Sequence, residues 1–209
     1  MLSEYLPQLM LAWSILLVGV FSPGPSVMLI LGVAMGQGRG AAVATALGVA
    51  CGSMTLSIAT VLGLSIIFAE IAHAMEIVRF VGAGYLFFLA FKSFGKMLNP
   101  PPLAPLTPGL RSFRRQVAGG YLLQVSNPKA IMFWLAIAGV GGVGDAPAPI
   151  VVLFVAGSFL LSFTAHGAYA LLLSSAVLRA GLTRFRRVVE AALGGFFIFA
   201  SVKLLTAKV

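Results

Sequence analysis

Gly19-Val-Phe-Ser-Pro-Gly-Pro-Ser-Val-Met28 sets two prolines and a glycine inside a stretch free of Asp, Glu, Lys and Arg from Tyr5 to Gly38. A helix needs roughly 20 apolar residues to cross the hydrocarbon core of a bilayer, so a run this long reads as a membrane span. Pro23 and Pro25 lack backbone donors and Gly24 loosens the chain, which predicts a break inside the span. Two readings of the break stay open. Ser26 can cap a second half-helix, Val27 to Met35, whose unsatisfied N–H groups and partial positive charge suit a carboxylate. Alternatively the motif is a plain proline kink, whose freed groups find partners in a helix bundle.

Working outward, further uncharged stretches run from Gly40 to Ala69, from Gln116 to Gly144 interrupted only by Lys129, and from Ala146 to Leu178. Across 209 residues 60% are apolar and 9% charged, which excludes a soluble domain with a charged surface. Six transmembrane helices are predicted, at about 6–34, 41–68, 75–95, 116–139, 147–175 and 188–207, in an all-α integral membrane fold. Glu4 replaces the basic segment of a secretory signal, and the apolar run outlasts a signal core, so the first span reads as retained. The net charge of +9 is not a nucleic-acid footprint, because the basic residues lie mostly between apolar spans with no aromatic-interleaved face. Cys51 is the only cysteine, which excludes an internal disulfide and a cysteine-rich metal site. No cofactor is expected.

Arg39 lies in the first link, Lys96, Arg111, Arg114 and Arg115 in the third, and Arg179, Arg184, Arg186 and Arg187 in the fifth. The second and fourth hold Glu70, His73 and Asp145 instead, so the positive-inside rule places the odd links in the cytoplasm and both termini outside; Lys208 argues weakly against this. Pro100, Pro101, Pro102, Pro105 and Pro108 make residues 99–112 an extended tether between a first repeat, about 1–98, and a second, about 113–209. Residues 76–92 align with 187–203, superposing Gly84 on Gly195 and Phe88 on Phe199. Gly48 and Ser53 align with Gly157 and Ser162, and Ser22-Pro-Gly-Pro25 lies opposite Ser126-Asn-Pro-Lys129. Three helices per repeat is an odd number, so the second copy enters the membrane from the opposite side, an inverted symmetry that recurs in transporters with midplane sites at broken helices.

Asn127-Pro128-Lys129 is the second predicted break, in the middle of the fourth span. A lysine at mid-span costs about 2.5–3.5 kcal/mol on the translocon scale, so Lys129 should face the protein interior or a wet cavity. Either its ammonium satisfies a carbonyl freed by Pro128, near Gln124, or it joins the half-helix after Pro25 in a positive pocket for a substrate carboxylate. The proposed substrate-binding set is therefore Pro23, Gly24, Pro25, Ser26, Asn127, Pro128 and Lys129. All five acidic residues fall near span ends, which favours neutral substrates over cationic ones.

At these residues the chain resembles the lysine exporter / homoserine-threonine resistance (LysE/RhtB) family. The resemblance rests on Ser22-Pro-Gly-Pro25, Gly36-Gln-Gly-Arg-Gly40, Gly48 and Gly52, Gly82-Ala-Gly-Tyr-Leu86, Gly119 to Ala130 with its Asn-Pro-Lys-Ala, and Gly194-Gly195. It implies a bacterial inner-membrane protein that exports amino acids or their derivatives on the proton gradient. Ser26 departs from the Asn or Asp usual after the Pro-Gly-Pro motif. Proton coupling needs a titratable group, for which His166 inside the fifth span and Glu190 at the start of the sixth are candidates. His166 reads equally as a neutral imidazole bonded across helices, and Glu190 as an interface residue beside Arg186 and Arg187. A second copy of the chain is a candidate partner, as a homo-oligomer, and rival functions are a passive channel or membrane scaffold and an intramembrane hydrolase using Ser158, Ser162 and His166. No GxSxG elbow supports the last.

Overall fold

The computed structural model describes residues 2–22, 24–70, 74–100, 112–140, 146–172 and 174–206. Its elements are α1 (Leu2–Phe21), α2 (Pro25–Gln37), α3 (Arg39–Glu70), α4 (Ala74–Leu98), α5 (Phe113–Val125), α6 (Pro128–Val140), α7 (Ala148–Leu172) and α8 (Ala176–Thr206). Helices α1 and α7 and the segment Arg39–Gly63 of α3 are each long and apolar enough to cross a membrane, and α2 and Pro128–Ala138 are shorter apolar helices. Phe87, Phe91, Leu122, Val152 and Phe199 stand exposed on the outside, an arrangement suited to lipid and not to water. The chain is an all-α membrane protein.

Both expected breaks are present. Helices α1 and α2 divide the first uncharged stretch at Ser22–Gly24, and α5 and α6 divide the fourth span at Ser126–Asn127. Pro25 opens α2 and Pro128 opens α6, each at the first helical position, where a missing N–H costs nothing. The expectation that Ser26 caps α2 is corrected. Gly24 is the N-cap, without a side-chain bond, and Ser26 lies one residue inside the helix with its hydroxyl turned to another element. Helix α8 also begins some 12 residues before the expected 188, taking the arginines at 184, 186 and 187 into the helix, since arginine is a good helix former. Pro23, His73, Asp145, Lys208 and most of the proline-rich tether fall outside the described residues.

Helix α3 packs against both α5 and α7. Its contact with α5 is backbone on backbone. A Cβ at Gly48 would collide with the Val117 carbonyl, and one at Gly120 with the Thr45 carbonyl, so the two helices approach as closely as glycine permits. On α7, Gly157 instead receives the indole of Trp13 from α1. Helices α4 and α8 pair along buried Ala83, Leu86 and Ala90 on one side and Leu193, Phe197 and Ser201 on the other, where Ser201 Oγ donates to the Ala83 carbonyl at 2.9 Å. Exchanging α1–α4 for α5–α8 maps α1·α7 onto α5·α3, α1·α6 onto α5·α2 and α2·α7 onto α6·α3, and all six pairs are packed. It returns α3·α7 and α4·α8 to themselves. The packed pairs α2·α3 and α4·α6 have no comparable counterpart among the described residues.

Candidate functional site

In an unbroken helix each carbonyl accepts from the N–H four residues on, so Pro23 and Pro25 orphan the carbonyls of Gly19 and Phe21. Both are recovered by side chains from the second half of the chain. Tyr169 Oη donates to Phe21 O at 3.2 Å, and Lys129 Nζ donates to Gly19 O at 3.0 Å and also to Ser22 O. The ammonium thus closes the end of α1. The expected alternative, a carbonyl near Gln124, is corrected: Pro128 does remove that carbonyl's usual donor, but the Asn127 N–H takes its place at 3.3 Å.

Asn127 is the N-cap of α6, its Oδ1 accepting from the Lys129 N–H at 3.1 Å. This cap aims Lys129 off the first turn of α6 and across to α1. The stem runs past Gly24, where a Cβ would lie 2.9 Å from Lys129 Cδ, and Nζ stands 5.8 Å from the centre of the Phe133 ring. Gly24 has extended backbone that any residue can adopt, so what glycine supplies here is room for the lysine.

These groups border one cavity of about 40 Å³, room for water. Its lining includes Ser22, Gly24, Ser26, Gln124, Asn127, Lys129 and His166, with Leu16, Val20, Phe133 and Trp134 as apolar wall. None of the lining residues is acidic. Of the residues singled out in the sequence, Gly24, Ser26, Asn127, Lys129 and His166 therefore meet here, with Pro25 and Pro128 fixing the adjoining helix starts. Pro23 lies outside the described residues.

From the cavity a buried polar chain crosses four helices. Asn127 Nδ2 donates to Ser26 Oγ at 3.3 Å, Ser26 Oγ to Gln124 Oε1 at 2.6 Å, and Gln124 Nε2 to Ser53 Oγ at 3.0 Å. Ser162 Oγ donates to Ser53 Oγ at 3.0 Å, and His166 Nδ1 lies 2.9 Å from the Ser162 carbonyl. A carbonyl only accepts, so Nδ1 carries the hydrogen, and in the neutral imidazole Nε2 holds the lone pair. Gln124 and Ser53 are the site residues that sequence reasoning missed. Their signal was available: Gln124 is an uncompensated amide in an apolar span, three residues before Asn127.

Glu190 is elsewhere. It is fully buried on α8, 4.0 Å from Lys96 Nζ of α4, with no hydrogen bond to either carboxylate oxygen, and it does not line the cavity. A second polar group, Gln37, Gln116 and Thr45, joins α2, α5 and α3 about two turns of α5 from Gln124; Gln116 donates to Gln37, and Thr45 Oγ1 to Gln116 Oε1 at 3.2 Å. Ser158, Ser162 and His166 share α7 as expected, with both serines buried, but the histidine nitrogen facing Ser162 is the protonated one and cannot take its hydroxyl proton.

A polytopic helical membrane protein in which two interrupted helices and a part-buried lysine border one cavity has the construction of a transporter. The chain belongs to the LysE type translocator family, whose family model matches residues 17–208. It is also similar to the Uncharacterized membrane protein YahN of Escherichia coli (strain K12), 25% identical over 189 residues, covering 88% of this chain and 83% of that protein. No solved structure matches it significantly.

Proposed function

We propose that the protein is a secondary transporter that exports small neutral amino acids or their derivatives from the bacterial cytoplasm by proton antiport. It would sit in the inner membrane as six spans in two inverted repeats, with both termini periplasmic. The observation that carries this reading is the meeting of both helix breaks, Lys129 and His166 on one cavity without a carboxylate. The N-terminal ends of α2 and α6 and the Lys129 ammonium together suit a carboxylate, and the lack of an acidic wall disfavours a cationic side chain. The present volume suits water, so the walls rearrange to admit substrate.

His166 is the proposed proton carrier, because its basic Nε2 belongs to a ring bordering the cavity. Glu190, 4.0 Å from Lys96 Nζ within the α4–α8 interface, is the second candidate. The protonated Nδ1 beside Ser162 disfavours the intramembrane hydrolase. The paired helix contacts, and the direct bond between the aligned residues Ser53 and Ser162, support the inverted repeat.

The test is efflux of labelled amino acids from proteoliposomes with and without an imposed proton gradient. Gradient-dependent flux of a neutral amino acid, lost in folded Lys129→Ala, is expected. Flux indifferent to the gradient would point to a passive channel, and no flux across a broad panel to a scaffold. His166→Gln should lose gradient-driven flux by about tenfold or more yet keep amino-acid exchange across the membrane; loss of both would remove His166 from the coupling step.

A further inference from the structure

We propose that the carbonyls of Gly19 and Ser22 form an ammonium subsite, filled by Lys129 in the empty protein and by the α-amine of the substrate during transport. This rests on the transport reading above, in which Lys129 meets the substrate carboxylate. The proposal adds where the other charge of a zwitterion goes and what Lys129 does beforehand.

A primary ammonium already occupies the subsite, since Lys129 Nζ donates to both carbonyls. Gly19 O is free for it because position 23 is a proline, so the acceptor is written into the sequence of the break. The two carbonyls lie at the C-terminal end of α1, the negative end of its dipole, while Lys129 itself rides on the first turn of α6, a positive end. The cavity therefore has two poles, and a zwitterion spans them only if the tethered ammonium leaves the negative one.

Lys129 is built to leave. Its flexible stem runs through the space left by Gly24, and nothing acidic in the cavity lining holds it. In the exchange the incoming ammonium replaces the outgoing one on the same two carbonyls, and the displaced Lys129 meets the carboxylate that arrives with it. Because the substrate is net neutral, the cavity carries one positive charge before and after. No step leaves a buried cation without a partner, which is the costly alternative.

The test removes the tether and offers an ammonium free in solution. Full-length Lys129→Ala in nanodiscs is titrated with ethylammonium chloride and its melting temperature followed, alongside the wild type and a tetramethylammonium series, which has no N–H donors. A saturable rise with ethylammonium in the variant alone is expected. No saturable rise, an equal rise in the wild type, or an equal rise with tetramethylammonium would overturn the subsite. Lys129→Ser replaces Lys129→Ala if the latter fails to fold.

A second readout uses the wild type in exchange assays. The acid lacking the α-amine should inhibit about ten- to a hundredfold more weakly than its parent amino acid, as expected when bonds to a charged group are lost. Equal potency would also overturn the proposal. The two readings fail separately. Ethylammonium binding to the variant without any amino-acid flux in the wild type sinks the transport reading and leaves the subsite standing, whereas flux without ethylammonium binding does the reverse.

Discussion

Lys129 takes its position from its neighbour Pro128 and from Gly19, Pro23 and Gly24 in the first half of the chain. Pro23 removes the donor that Gly19 O would have used, Pro128 starts the helix that projects the lysine, and Gly24 leaves the gap through which the stem passes. Gly24→Ala should consequently destabilise the protein by about 1–3 kcal/mol, the usual cost of overpacking. The same substitution in a Lys129→Ala background should cost clearly less, because the atoms it strikes are gone. Thermal or denaturant unfolding of the four-member cycle in one detergent measures the coupling, and additive effects would break the link between the two residues. Gln124 supports the site from behind. Its amide joins Ser26 to Ser53, so Gln124→Leu takes one bond from each of two buried hydroxyls and is expected to cost about 1–2 kcal/mol in the same assay. A loss well under that would show that the serines find other partners.

At the scale of elements, the α3–α5 crossing is a close backbone contact that depends on absent side chains. Gly48→Ala puts a methyl group on the Val117 carbonyl, so a destabilisation of about 1–3 kcal/mol is expected. Gly84→Ala on α4 meets nothing within 4 Å and should be neutral or slightly stabilising, helped by the helix propensity of alanine. Comparing the two by thermal unfolding separates packing from propensity, and equal effects would mean the crossing is looser than the structure has it. Gly48 and Gly52 stand four residues apart, a spacing that lets helix backbones approach closely. Gly48 and Gly52 do admit a neighbour, whereas Gly40, in the same four-residue rhythm, faces open space. Spacing shows that two helices can come close; it does not show which helix comes.

For the whole molecule, inverted repeats require that equivalent links of the two halves face opposite sides of the membrane. With Cys51 replaced by alanine, single cysteines at Arg39 and Pro147 should label with a membrane-impermeant maleimide from opposite sides, Arg39→Cys from the cytoplasmic side and Pro147→Cys from the outside. Labelling of both from one side would discard the inverted arrangement. Two of the aligned pairs read from the sequence have a counterpart in the packing. Ser53 and Ser162 bond to each other, and Gly48 and Gly157 each receive the helix that exchange of the halves would bring, α5 in one case and α1 in the other. The match is not uniform, since α5 brings its backbone and α1 an indole.

Hydropathy and proline chemistry determined from the sequence alone that the chain is a helical membrane protein, and that it breaks beside Pro25 and Pro128. Those are local matters, settled by transfer free energy and by a missing N–H. Tertiary structure alone decided that the Lys129 ammonium reaches the carbonyls of α1 in place of one on its own helix, that Gln124 ties Ser26 to Ser53, and that Glu190 lies with Lys96 between α4 and α8. The physical reason is that apolar helix faces are nearly interchangeable in lipid. Nothing in the period of a helix that is apolar all round says which side meets which neighbour, and the partner of each buried polar group follows only once the helices are packed.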